Sequence, residues 1–110
     1  MVSWISEEEA RKKVEAGKMA FPLLNEKDGC RNGCCMGITV CVHDDYRGMS
    51  SHDDQELFYV LEGNGRAMVG GEEILLTPGV AFLVPAGVEH GMIREPGSEY
   101  CKVLWFHGAI

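Results

Sequence analysis

The stretch from His52 to His90 decides the fold of this chain, and it reads HDDQELFYVLEGNGRAMVGGEEILLTPGVAFLVPAGVEH. Short apolar runs alternate in it with breaks that contain glycine or proline. The run from Leu57 to Leu61 ends at a glycine-rich turn, and the next two runs meet across Gly70-Gly71. A Gly-Gly pair between two such runs is typical of a tight β-hairpin. The stretch therefore predicts antiparallel strands that are joined by tight turns.

The same pattern extends to both sides of this stretch. Ile38 to His43 alternates weakly between apolar and polar residues, and a last strand fits Tyr100 to Phe106. Val80 to Val84 forms another run, which stops at Pro85. Many short strands with tight turns predict an all-β fold, either a small barrel or a sandwich.

A helix is indicated only near the N-terminus. Ser6 followed by Glu9 makes a capping box, and acidic residues fill the first turn, where the helix dipole favours them. Ala10 and Val14 share one face, and Gly17 can end the helix in a left-handed conformation. This pattern predicts one helix of about three turns with a narrow apolar stripe, which lies on the outside of a larger body.

Length and charge limit the class of protein and its partners. The 110 residues suit one domain, and the 10 Lys and Arg against 17 Asp and Glu give a net charge of −7. An acidic chain lacks the excess of basic residues that nucleic acid or an anionic membrane surface would need. The longest apolar stretch, Val80 to Val84, is too short to cross a bilayer, and the first residues do not resemble a signal peptide. We expect no nucleic-acid partner and no membrane partner.

The five cysteines indicate the cell compartment, and three of them form a cluster whose role the sequence does not assign. Without a secretory signal they indicate reduced thiols, and therefore a cytoplasmic protein. Three of them lie close together at Cys30, Cys34 and Cys35. Such a cluster can bind a soft metal or form a redox pair, and the alternative is a group of reduced, partly exposed thiols.

Two groups of residues match a known family by their spacing. The first group is His52, Glu56 and Gly63, and the second is Gly79, Pro85, Gly87 and His90. They resemble the two motifs of the cupin superfamily, which flank a hairpin, and the resemblance covers about residues 38–106. It implies a single cupin barrel (a double-stranded β-helix or jelly roll) with a short N-terminal helix. The chain then divides into a helical, cysteine-containing lead-in over residues 1–37 and the barrel over residues 38–110, in one compact domain.

Three positions differ from the family pattern. Ser50 stands where the first motif has its first histidine, and Asp44 stands at the glycine that opens that motif. Arg94 stands at the asparagine that ends the second motif. The family usually holds a divalent metal with three histidines and one glutamate, so this chain lacks one of the expected ligands.

The metal ligands that the resemblance leaves are His52, Glu56 and His90. Two imidazoles and a carboxylate are also the donor set of a non-haem Fe(II) facial triad, which keeps positions open for substrate or oxygen. We therefore expect a divalent transition metal, with Fe, Mn, Ni and Zn all permitted. His43 is a further candidate for the missing histidine, since the strand from Ile38 to His43 could direct it into the pocket.

Strand alternation then predicts the wall of the pocket. If Glu56 points inward, Phe58 follows on the same face, and if His90 points inward, Met92 and Arg94 follow. Arg94 could hold a carboxylate, a phosphate or a sugar oxygen, or it could be a solvated charge at the rim. On the last strand, Lys102 faces outward, and Cys101, Val103 and Trp105 face inward. The predicted pocket residues are Ser50, Phe58, Met92, Arg94 and Trp105.

Two functions of different class remain open at this point. The first is a metal-binding cupin that acts on a small polar molecule, a sugar or a small acid, as an isomerase, lyase or dioxygenase. The alternative is a non-catalytic sensor module that lost its metal with Ser50 and binds a small ligand directly. Leu104 and Phe106 face outward on the last strand, and we expect them to be buried between two copies in a homodimer.

Overall fold

The computed structural model describes residues 2–108, which consist mainly of antiparallel strands. One α-helix, α1 (Glu7–Lys12), precedes the strands, and a single 3-10 turn (Glu26–Asp28) follows the first of them. The strands are β1 (Ala20–Leu24), β2 (Cys35–Cys41), β3 (Glu56–Gly63), β4 (Gly65–Val69), β5 (Glu72–Leu76), β6 (Ala81–Val84), β7 (His90–Arg94) and β8 (Cys101–His107). They form a large sheet in the order β1-β2-β8-β3-β6 and a small sheet in the order β5-β4-β7. The all-β prediction with a short N-terminal helix is confirmed.

The apolar core lies between the two sheets. Its buried members come from both of them, and they are Cys41, Phe58, Val60, Ala67, Leu76, Val84, Cys101 and Val103. On β3 the side chains alternate as predicted, since Glu56, Phe58 and Val60 are buried while Leu57 and Tyr59 are about half exposed. The inward face of β3 therefore carries one carboxylate at its beginning and apolar side chains after it.

The β4–β5 hairpin turns at Gly70-Gly71, as the sequence predicts. Both glycines have a positive φ, +57° for Gly70 and +85° for Gly71. Two left-handed residues in a row form the tight turn whose twist matches that of the strands. The turn sets the register in which Val69 pairs with Glu72.

The N-terminal helix begins as predicted but ends earlier. The Ser6 hydroxyl accepts a hydrogen bond from the Glu9 N–H at 3.1 Å, which caps the first turn. The helix ends at Lys12, and Gly17, at φ +89°, lies in a later turn that leads towards β1. Ala10 is the buried residue of the helix, and it packs outside the main core. The helix therefore makes few apolar contacts that would stabilise further turns. Within residues 2–108, no helix is long and apolar enough to cross a membrane.

The lead-in contributes a strand to the large sheet. Strand β1 pairs with β2, with Phe21 opposite Ile38, and these two residues form a second buried cluster with Ala10 of α1. Pro22 lies within β1, which is at the edge of the sheet, where a missing backbone N–H costs least. The boundary drawn at residue 38 falls inside β2, so the lead-in and the barrel share one sheet.

Candidate metal centre at the open end of the barrel

Glu56 lies at the centre of a buried polar cluster. The residue is 6% exposed, and three imidazole rings contact its carboxylate. His52 Nε2 is 2.9 Å and His90 Nε2 is 3.3 Å from Oε1, whereas His107 Nε2 is 3.2 Å from Oε2. A buried carboxylate is stable only with such partners, because desolvation strongly disfavours an isolated charge.

Strand pairing brings these four side chains together. Glu56 and His107 are directly opposite each other in the antiparallel β3–β8 pair. His90 begins β7, and its backbone exchanges two hydrogen bonds with Ser50, at 3.0 and 2.9 Å. The Gly87 N–H donates to the His52 carbonyl at 2.7 Å, which fixes the loop before β3 against the turn before β7.

The second nitrogen of each ring fixes the direction of the first. His90 Nδ1 lies 3.0 Å from the Val88 carbonyl oxygen. Asp54 serves the other two rings, since its Oδ1 is 2.7 Å from His52 Nδ1 and its Oδ2 is 2.9 Å from His107 Nδ1. A carbonyl or a carboxylate only accepts, so each Nδ1 carries the proton and donates. The three Nε2 atoms are therefore left to converge on Glu56.

Two pKa shifts follow from these contacts. The hydrogen bond with Glu56 raises the pKa of His90, although burial acts in the opposite direction. For Asp54, burial works to raise the pKa, but the hydrogen bond from His107 and the charges of His107 and His52 outweigh it, so the pKa is lowered. Asp54 is therefore a carboxylate at neutral pH, as its role as a double acceptor requires.

The cluster opens into a cavity of about 370 Å³. Four of the five predicted pocket residues, Ser50, Phe58, Met92 and Trp105, line it together with the three histidines and Glu56. Phe58 and Phe82 stack at 4.6 Å between ring centroids, and they make one wall apolar. Thr39, His43 and Arg47 add polar groups to the lining. The cavity is large enough for a small organic molecule and combines an apolar wall with a polar end.

Arg94 lies outside this cavity, contrary to the sequence prediction. Its Nε donates to Asp44 Oδ1 at 2.8 Å, and one terminal nitrogen donates to the Glu99 carbonyl at 2.8 Å. Alternation along β7 places Met92 in the cavity, but at the end of the strand the long side chain reaches the loop that carries Asp44. The carboxylate of Asp44 and the Glu99 carbonyl satisfy the guanidinium at this end of the strand.

His43 lines the cavity but does not join the polar cluster around Glu56. Its Nε2 lies 3.0 Å from the Met92 carbonyl oxygen. The structure instead brings His107 to Glu56, so the third imidazole comes from the last strand.

Sequence reasoning missed both His107 and Asp54. A signal for His107 was present, because Cys101, Val103 and Trp105 face inward and the same alternation reaches residue 107. Asp54 gave no comparable signal, since its role depends on two rings that the fold brings to it. The predicted last strand ends at Phe106, whereas β8 continues to His107.

The residues present fit a divalent transition metal. The ligand atoms of His52, Glu56 and His90 lie within 4.8 Å of one another, and the same holds for those of His52, Asp54 and His107. Imidazole and carboxylate suit first-row metals such as Fe, Mn, Ni and Zn. Each ring donates through Nδ1, so its Nε2 is the atom that a cation beside the Glu56 carboxylate would bind.

Comparison with known proteins identifies the family. The family model of the cupin domain matches residues 40–107. A search of curated protein sequences gives no match. Similar solved structures include a cupin protein from Bacteroides fragilis, with TM-score 0.72 and 15% identity over 99% of this chain and 86% of that chain.

Two further solved structures are of proteins named as an enzyme or as a complex with substrate. One is a predicted oxalate decarboxylase from Thermotoga maritima, with TM-score 0.70 and 15% identity over 83% of this chain and 79% of that chain. The other is Fe(II) HppE in complex with its substrate, with TM-score 0.71 and 20% identity over 86% of this chain and 56% of that chain. Likeness at these identities shows the fold alone. Together with the family match over residues 40–107, it establishes that this chain belongs to the cupin superfamily.

Proposed function

We propose that this protein binds a divalent transition metal through His52, Glu56 and His90 and acts on a small polar molecule inside the barrel. The observation that carries the proposal is the convergence of imidazole Nε2 atoms on the buried Glu56 carboxylate. The similarity to Fe(II) HppE and to a predicted oxalate decarboxylase supports a metal-dependent reaction. The reaction would be that of an isomerase, a lyase or a dioxygenase.

A metal bound here would supply Lewis acidity or access to oxygen chemistry. The chain's own residues would hold the substrate. Phe58, Phe82 and Trp105 provide an apolar wall that limits the access of water, and Ser50 and Thr39 offer hydroxyl groups for hydrogen bonds. Arg47 also lines the cavity, but its guanidinium is paired with Asp45 at 2.7 Å and is 67% exposed, so it does not favour an acid over a sugar. Small acids and sugars are therefore both substrate classes to test.

Elemental analysis of protein purified without a histidine tag tests the metal. We expect about one Fe, Mn, Ni or Zn per chain, or recovery of one equivalent when the metal-free protein is incubated with one of these ions. A content far below one per chain with no recovery would contradict the proposal. The variant His43→Gln is a matched control, because His43 lines the same cavity but contacts the Met92 carbonyl rather than Glu56.

The second candidate is a sensor module that binds its ligand without a metal. Ser50 at the position of a family ligand favours it. So do the direct contacts of Glu56 and Asp54 with neighbouring imidazoles, because they give both carboxylates partners without a metal. Thermal-shift measurements on the chelator-treated protein with small acids and sugars separate the two functions. A compound that stabilises the metal-free protein and is never converted favours the sensor.

Two further parts of the proposal concern assembly and compartment. We propose that two copies pair through the outer face of the large sheet, where Leu57, Tyr59, Leu83 and Phe106 are 37–49% exposed. This surface is apolar and continuous across β3, β6 and β8, as an interface between copies requires. The free state of all five cysteines supports a cytoplasmic location.

A further inference from the structure

We propose that His107 supplies the third imidazole of the metal centre in place of the histidine that Ser50 replaces, and that Asp54 positions His52 and His107 for the metal. This inference rests on the proposed metal-binding function and assigns roles to two residues that are not among the matched motif positions: Asp54, which lies inside the first motif, and His107, which lies outside both.

His107 lies beside the proposed ligands, and its ligand atom is within 4.8 Å of those of His52 and Asp54. It lies on β8 directly opposite Glu56, and its Nε2 is 3.2 Å from Glu56 Oε2, on the carboxylate oxygen that His52 and His90 leave free. Its ring is also close to the ring of His52, with centroids 4.8 Å apart. The three rings therefore approach one carboxylate from β7, from β8 and from the loop before β3.

Ser50 shows why a replacement is needed. It lines the same cavity, and its backbone pairs with His90, so this part of the loop keeps its place beside the centre. Its short hydroxyl is a weak metal donor compared with an imidazole. A donor lost from the loop can be replaced from β8, because β8 pairs with β3 and its inward face continues to His107.

Asp54 acts through the two rings that it holds. One oxygen accepts from His52 Nδ1 at 2.7 Å and the other accepts from His107 Nδ1 at 2.9 Å. A carboxylate on the outer nitrogen fixes the tautomer and orientation of a ligating imidazole and raises its basicity. Because one Asp54 serves both rings, it sets the angle between them as well as the direction of each.

A closed network without a metal is the competing interpretation. In it, His52 and His107 form hydrogen bonds with Asp54 and Glu56 directly, and no metal is held. The two interpretations differ in what happens when one ring is removed. In the network, removing His107 lowers stability and has no effect on a metal, whereas in the proposed centre it weakens metal binding.

Binding of Co²⁺ alone tests the proposal by calorimetry and X-ray absorption spectroscopy. We expect three imidazoles per Co²⁺ in the wild type, two in His107→Gln, and three in the control His43→Gln. The Kd for Co²⁺ should rise at least about tenfold in His107→Gln, and about 10- to 100-fold in Asp54→Asn with the imidazole count unchanged. Circular dichroism of each metal-free variant checks that it is folded, and Asp54→Asn keeps the proposal testable if His107→Gln does not fold.

The outcomes separate this inference from the proposed function. If the wild type binds Co²⁺ and His107→Gln binds it equally tightly with the same imidazole count, His107 is not a ligand, and the proposed function stands. Unchanged Co²⁺ affinity in Asp54→Asn overturns its positioning role. If the wild type binds no Co²⁺, Fe²⁺, Mn²⁺, Ni²⁺ or Zn²⁺, the proposed function fails and this inference fails with it.

Discussion

Glu56 and His107 lie opposite each other across the β3–β8 pair, and the Glu56 carboxylate meets His107 Nε2 at 3.2 Å. One residue belongs to the first sequence motif and the other lies outside both motifs, yet the pairing of their strands makes them neighbours. The same carboxylate also contacts His52 and His90. Glu56 is thus the one side chain that all three imidazoles share.

Replacing Glu56 with glutamine should abolish tight metal binding. The amide keeps the shape of the carboxylate but removes its charge, so a cation loses its anionic ligand and the three rings lose their common partner. We expect the Kd for Co²⁺, measured by calorimetry, to rise by more than the about 10- to 100-fold that loss of an outer partner costs, because Glu56 is a direct ligand in the proposed centre. Glu62→Gln is the control, because Glu62 contacts Tyr100 and Lys102 outside the cavity. Equal Co²⁺ affinity in Glu56→Gln and the wild type would contradict the assignment.

Arg94→Gln should leave metal and ligand binding unchanged and alter acid stability instead. The hydrogen bond and charge of Arg94 lower the pKa of Asp44 from its ordinary value of 3.8. A carboxyl group with a lowered pKa in the folded state contributes stability above the pKa of its unfolded state, and this contribution is lost as the pH falls through the folded-state pKa.

Urea unfolding at pH 7, pH 5 and pH 2.5 measures this contribution. Wild type should exceed Arg94→Gln in free energy of unfolding at pH 7 and pH 5, and the difference should shrink as the pH falls below 3.8 towards the lowered pKa of Asp44. A constant difference over this range would show that Arg94 stabilises the protein by some means other than this ion pair.

Leu83→Lys should convert the proposed dimer into a monomer. Leu83 is 47% exposed on the outer face of the large sheet, and a charge there would have to be desolvated in the interface. Light scattering should give the mass of two chains for the wild type and of one chain for Leu83→Lys. Leu75→Lys is the matched control and should leave the dimer intact, because Leu75 is 60% exposed on the small sheet, away from the proposed interface. A monomeric wild type would remove this part of the proposal.

The five cysteines should separate into two classes on alkylation with iodoacetamide at pH 8. Cys41 and Cys101 are buried, and burial raises the pKa of Cys101 to about 11, so both should stay unmodified in the folded protein. Cys30, Cys34 and Cys35 are partly exposed and should react. Mass spectrometry should therefore find labels on these three in the folded protein and on all five in urea. Labelling of Cys101 without denaturant would show that the core opens between the sheets.

Much of the barrel could be predicted because its signals are local. The Gly70-Gly71 turn and the alternation from Glu56 to Val60 each depend on a few neighbouring residues, and the structure agrees with both. Strand β1 was missed because it is short and contains Pro22, and its pairing with β2 is a long-range contact. The predicted helix was too long because its end is set by packing, which a capping signal does not report.

The errors in the predicted site also come from contacts between residues far apart in sequence. His52, Glu56 and His90 belong to motifs with fixed spacing, and the structure brings the three together. Arg94 follows the alternation of β7, but Asp44, fifty residues away, draws its side chain out of the cavity. Alternation along β8 reaches His107, but its contact with Asp54 depends on where β8 lies in the sheet, and Asp54 itself gives no signal in the sequence.

The position of β8 has a consequence for folding. It is the last strand of the described chain and yet lies between β2 and β3 in the large sheet, so until it docks, β1-β2 and β3-β6 are separate pairs with open edges. Contacts between residues far apart in sequence form slowly, because the long intervening loop must close first. The same docking event joins the sheet and delivers His107 to Glu56. Closure of the barrel and assembly of the centre are therefore one step, and a nascent chain cannot acquire the second before the first.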